Sequence, residues 1–128
     1  MVAESSQPPE PARFPLAISA MIAKLERTYQ FREPDEVRAF LAIHPEIGDL
    51  ALTAAVKIAE YLPIQDQLVL EFFRDPEDDE DDGQLFALVP TRLPPMEVRS
   101  LMDQLLRDWL LEVIRPTGLL FNVGVEYR

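Results

Sequence analysis

A chain of 128 residues with 48% hydrophobic and 27% charged residues has globular composition and the length of one domain. Its 23 acids against 12 bases give a net charge of −11, which argues against a phosphate-tracking nucleic-acid binder and a surface-bound membrane protein, since both need a cationic footprint. Cysteine is absent, so disulfides, thiolate metal sites and cysteine nucleophiles are excluded.

The first residues show neither the basic start nor the apolar run of a secretory leader, and the expected location is cytoplasmic. Ser5, Ser6 and Gln7 with Pro8, Pro9 and Pro11 predict a flexible tail over residues 1–13, ahead of a single domain over residues 14–128. Phe14, Ile18, Ile22, Leu25 and Tyr29 recur at spacings of three and four and predict an amphipathic helix over residues 14–30. Pro34 suits a first helical turn, and Asp35 and Glu36 after it suit a helix's positive end. This second helix uses Val37, Phe40 and Leu41 and stops near His44, because Pro45 disfavours helical geometry in the residue before it. A third is expected over residues 46–61, with Ile47, Leu50, Ala54, Ile58 and Tyr61 on one face, and Pro63 ends it.

Two short apolar runs, residues 67–74 and 84–89, flank Asp-Pro-Glu-Asp-Asp-Glu-Asp-Asp-Gly and read as an antiparallel hairpin. After Leu93-Pro94-Pro95 a helix runs to about Leu111 on the stripe Val98, Leu101, Met102, Leu105 and Trp109. Leu106 and Leu110 lie off that stripe. Beyond the turn at Pro116-Thr117-Gly118 the chain alternates, with Leu119, Phe121, Val123, Val125 and Tyr127 on one face and Leu120, Asn122, Gly124 and Glu126 on the other. The order α-α-α-β-β-α-β predicts an α+β fold: N-terminal helices, then a small antiparallel sheet of spatial order 2-1-3. The C-terminal strand is thus expected beside the first strand.

Val69-Leu70-Glu71-Phe72 followed by Asp75-Pro76-Glu77, the Leu-Pro-Pro-Met-Glu helix start and Trp109-Leu110 together resemble a group of small bacterial α+β proteins with no assigned activity. Those pair the hairpin with a helix ending in an acidic, double-tryptophan segment. Here Arg107-Asp108-Trp109-Leu110 has a single tryptophan. The resemblance implies the fold class and supplies no catalytic residue.

Seven of the eight residues from Asp75 to Asp82 are acidic, and without them the net charge would be −4. Asp78, Glu80, Asp82 and Gly83 imitate the start of a calcium loop, but Val89 stands where the bidentate glutamate belongs and the flanks read as strands. The run therefore reads as a solvated hairpin tip. His44 is the single histidine and reads as a helix stop. Gly48, Gly83, Gly118 and Gly124 are isolated, so neither common phosphate-binding loop is present. No catalytic residue, metal site or cofactor is expected. Two surfaces remain. Glu71, Asn122 and Glu126 are expected on one polar sheet face, where a carboxylate site would make the chain a small ligand-binding protein or enzyme. Leu106 and Leu110, with whichever of Phe72 and Phe73 points away from the core, are surplus apolar positions, and Phe73 is the one assigned to an interaction surface. The reading favoured is a protein-interaction module whose negative field suits a basic partner, with a homodimer through the C-terminal edge strand also expected.

Overall fold

The computed structural model describes residues 16–128, and the tail expected over residues 1–13 lies outside them. Helix α1 (Leu16–Thr28) passes directly into a short strand, β1 (Tyr29–Arg32). Helices α2 (Pro34–Ile43) and α3 (Pro45–Tyr61) follow, each with a proline in its first turn. His44 ends the first and starts the second at φ −124° and ψ 68°, and the two axes turn through 115° there. Leu62 is extended, as the residue before Pro63 must be, and closes α3. Strands β2 (Leu68–Phe73) and β3 (Gln84–Thr91) form the expected hairpin. A last helical rod comprises α4 (Pro95–Leu105), a π-helical turn (Leu106–Leu110) and α5 (Leu111–Ile114), and leads through a 3₁₀ turn (Arg115–Thr117) to β4 (Phe121–Tyr127).

The fold is a mixed α+β arrangement with one four-stranded sheet of order β1-β2-β3-β4. Two features correct the sequence reading. The residues expected to end the first helix instead form β1, which pairs in parallel with β2 from Tyr29↔Leu68 to Arg32↔Glu71. Tyr29 continues the three-four stripe of α1 equally well, so periodicity alone does not separate the two readings. The second correction follows from the first. With β1 beside β2, the slot that the order 2-1-3 assigned to the C-terminal strand is filled. Strand β4 takes the far edge instead and runs parallel to β3, from Leu85↔Phe121 to Thr91↔Tyr127.

The helices cover one face of the sheet. Leu68, Leu70, Leu85, Ala87, Val89, Phe121 and Val123 belong to that face and join Leu25, Val37, Leu41, Ile47 and Ile58 in a single core. Tyr29 is buried there, its hydroxyl donating to the Ala51 carbonyl at 2.8 Å, and burial holds its phenol neutral by pushing the pKa well up. Arg32, Val69, Glu71, Phe86, Leu88, Asn122, Gly124 and Glu126 lie on the opposite face by register. Val69 is fully buried without belonging to the main core. No single described helix is long and apolar enough to cross a membrane.

The π turn settles which side of the last rod faces inward. An α-helix continues the face of Leu105 four residues later, at Trp109, and that is the expected stripe. One extra residue in the turn moves the inward position to Leu110, which is 1% exposed, and then to Ile114 at 6%. Leu110 is therefore core, not surplus surface. Leu106 is half-buried against the core.

Candidate functional site

Glu71 on β2 and Glu126 on β4 do share the open sheet face with Asn122, but a cation stands between them. Arg32, at the end of β1, bonds Glu71 at 3.2 Å and reaches diagonally across the sheet to both oxygens of Glu126, at 3.0 and 3.2 Å. Arg128 adds a bond to Glu126 at 2.9 Å. The hydrogen bonds from Arg32 and then Arg128 hold the Glu126 carboxyl below the usual carboxylate range, and Glu126 in turn raises the Arg32 guanidinium. A general acid needs a carboxyl pushed upward, and Glu126 is displaced in the other direction. The trio ties the two edges of the sheet together.

Asn122 has a different task. Its Oδ1 accepts the backbone N–H of Val123 at 2.8 Å. Leu120 and Arg128 bond back to β3 through Leu120 C=O and Arg128 N–H, so the alternate residues of β4, Val123 among them, turn their backbone groups outward. Asn122 thus occupies an edge donor that would otherwise be open to another strand.

The acidic hairpin tip is organised by its own backbone. Asp81 accepts the N–H of Asp75 at 2.7 Å and of Gly83 at 2.8 Å, closing the base of the loop, and these bonds keep its carboxyl below the usual range. Asp75 and Asp78 each accept the N–H two residues on, from Glu77 and Glu80, at 3.0 Å. Among the described residues no group of three or more His, Asp or Glu is arranged to hold a metal ion.

Beside this tip lies a cleft of about 810 Å³ that sequence reasoning missed. One wall is the face of α2 from Glu36 through Ala39 and Phe40 to Ile43 and His44, and the other is the end of β2 with the tip: Phe72, Phe73, Arg74, Pro76 and Asp82. Phe40 packs on His44 at 4.7 Å and on Phe72 at 5.4 Å between ring centroids, making a continuous aromatic floor. Gly83 has φ +90°, and a Cβ there would stand 2.4 Å from the Phe72 ring, so the returning strand of the tip rests directly on that floor. Consecutive Phe72 and Phe73 point to opposite faces: Phe72 packs inward and Phe73 is left 58% exposed at the lip. Ile43 stands on the other lip at 73% exposure.

Of the three positions expected to form an interaction surface, then, Phe73 is at the cleft, whereas Leu110 is internal and Leu106 packs on the core. The signal for the cleft was present in Phe40 and Ile43, three apart on a helix, but Phe40 reads as an ordinary core position and Ile43, just before the helix stop, is not among the positions the second helix is expected to use. His44, the single histidine, is in the wall as well as in the helix break.

No family model, curated protein or solved structure matches the chain. The resemblance of its hairpin and last helix to small bacterial proteins rests on those residues alone.

Proposed function

We propose that this chain is a protein-interaction module whose docking site is the cleft between α2 and the β2–β3 tip. The observation that carries the reading is the pairing of two exposed apolar lips, Ile43 and Phe73, over an aromatic floor of Phe40 and Phe72. Large apolar side chains standing in water around a concavity are the usual mark of a surface that a partner covers. The carboxylate reading loses support because Glu71 and Glu126 are spent on Arg32.

A photo-crosslinking residue at position 43 tests this against the same residue at position 56, where Val56 is exposed on α3 away from the cleft. Discrete protein adducts in native cell extract are expected from position 43 only, and they should vanish when Phe73→Asp is added. Equal adducts from both positions, or adducts indifferent to Phe73→Asp, overturn the assignment.

A further inference from the structure

Resting on that reading, we infer that the occupant of the cleft is a cationic amphipathic helix contributed by another protein. The wall supplied by α2 runs from Glu36 to Ile43, about 10 Å along the helix axis, which is two turns. A docked helix offers apolar anchors at i, i+3 or i+4, and i+7 over the same distance. Strand addition has no footing here. Of the strands, only β2 contributes to the walls; β3 takes one of its edges as far as Phe73 and β1 the other as far as Glu71, which leaves the two residues Phe72 and Phe73 and is too short for a strand to pair along.

The charge of the occupant follows from what borders the apolar surface. Glu36 is on the helix wall and Asp82 on the opposite one, and the tip that rises beside the cleft carries seven acids within eight residues. Arg74 is the one lysine or arginine among the lining side chains, which also include the His44 imidazole. A helix with lysine or arginine flanking its apolar stripe meets opposite charge on both sides, while an acidic one meets like charge and is turned away. The tip's position is fixed by Asp81 at its base and Gly83 on Phe72, so the field is held at the cleft rather than spread over a wandering loop.

The experiment uses three labelled helical peptides with the same leucine stripe and with lysine, glutamine or glutamate flanks, titrated by fluorescence anisotropy against the full chain. Three variants accompany it: Ile43→Asp, Phe73→Asp, and the triple Glu77→Gln/Asp79→Asn/Glu80→Gln, which neutralises tip acids whose side chains take no part in the hydrogen bonds described above. The lysine peptide should bind most tightly. It should lose about tenfold or more with the triple variant and lose binding altogether with either lip variant. A lysine peptide with a central proline, unable to keep the helix, should bind at least tenfold more weakly. Equal binding of lysine and glutamine peptides, both lost in Ile43→Asp, would overturn the cationic assignment and leave the docking site standing. Binding that depends on the tip but ignores both lip variants would overturn the inference, because the peptide would be held by the acids alone. Undiminished binding of the proline peptide overturns the helix. If no peptide binds while position 43 still crosslinks in extract, the inference fails and the docking site survives; failure of both removes both.

Discussion

The π turn in the last helical rod makes a sharp prediction about deletions. Leu105 and Leu110 are both buried, five residues apart, and Ile114 follows four residues later. Deleting Arg107 from the turn brings Leu105 and Leu110 to a spacing of four, the natural repeat of an α-helix, so both stay inward. The variant should keep the core and lose only what the turn itself contributes, including the Tyr61 hydroxyl bond to Asp108 at 3.0 Å. A bond this exposed to solvent contributes little, so only a small shift of the midpoint is expected. Deleting Arg99 instead, within α4, removes a residue before the turn and rotates Leu105, Leu110 and Ile114 by about 100° relative to Val98. Turning three core side chains toward water at roughly 2–3 kcal/mol each forfeits about 6–9 kcal/mol. That is comparable with the whole stability of a typical domain, about 5–15 kcal/mol. Urea unfolding followed by circular dichroism reads both. The Arg107 deletion is expected to unfold cooperatively near the parent midpoint, and the Arg99 deletion to be unfolded or molten. If the Arg107 deletion is as damaging as the Arg99 deletion, the phase argument is wrong.

Gly83→Ala forces a Cβ into the Phe72 ring at a positive φ, and a loss of more than about 1 kcal/mol is expected, with Phe72 displaced from Phe40 in aromatic NMR contacts. An unchanged melting temperature would mean the tip does not rest where described. Glu126 has its carboxyl held below the ordinary range in the fold, so its contribution is fully present above the ordinary glutamate range and is lost as the pH falls through the lower folded value. Arg32→Met removes the largest cause, and its stability should fall less steeply with acid than the parent's; parallel curves refute the coupling. Asn122→Val frees the N–H of Val123 on an edge strand while raising strand propensity, and light scattering should show more self-association than in the parent, whereas Asn122→Asp keeps an acceptor and should not. A variant that associates no more than the parent shows that the edge has no need of its guard.

What the sequence reveals about this fold follows the strength of its local signals. Pro34, Pro45 and Pro95 mark three helix starts because proline tolerates one place in a helix and few others. Strand β1 escapes notice because four residues, Tyr29 to Arg32, are too few to reveal alternation and their first apolar side chain also completes a helical stripe. That single omission misplaces β4, since strand order depends on which edges are free. The inward face of Leu110 is equally hidden: a five-residue spacing fits no regular helix, and only the packing of the rod against the sheet selects it. At the site, the shared face of Glu71, Asn122 and Glu126 follows from strand parity. Their neutralising partner was invisible because Arg32 belongs to the strand that was missed. The cleft joins α2 to a hairpin some thirty residues further along, and a single sequence contains no signal for that meeting beyond the conspicuous pair Phe72-Phe73.

Because each strand lies beside its neighbour in the chain, the sheet assembles around its hairpin, whose closing pair Phe73↔Gln84 is far nearer in sequence than Arg32↔Glu71 or Leu85↔Phe121. Loop closure must precede the longer-range parallel pairings and be repaid by them, so hairpin closure is the natural early step of folding. The segment that must bend back on itself is also the one with seven acids in eight residues, which repel one another while the loop is forming. Added salt screens that repulsion within about 10 Å at 0.1 M, and the folding rate of this chain should rise with ionic strength while its unfolding rate changes little. Stopped-flow refolding across a salt series reads the two limbs separately, and a salt effect confined to unfolding would mean that the tip closes after the rate-limiting step.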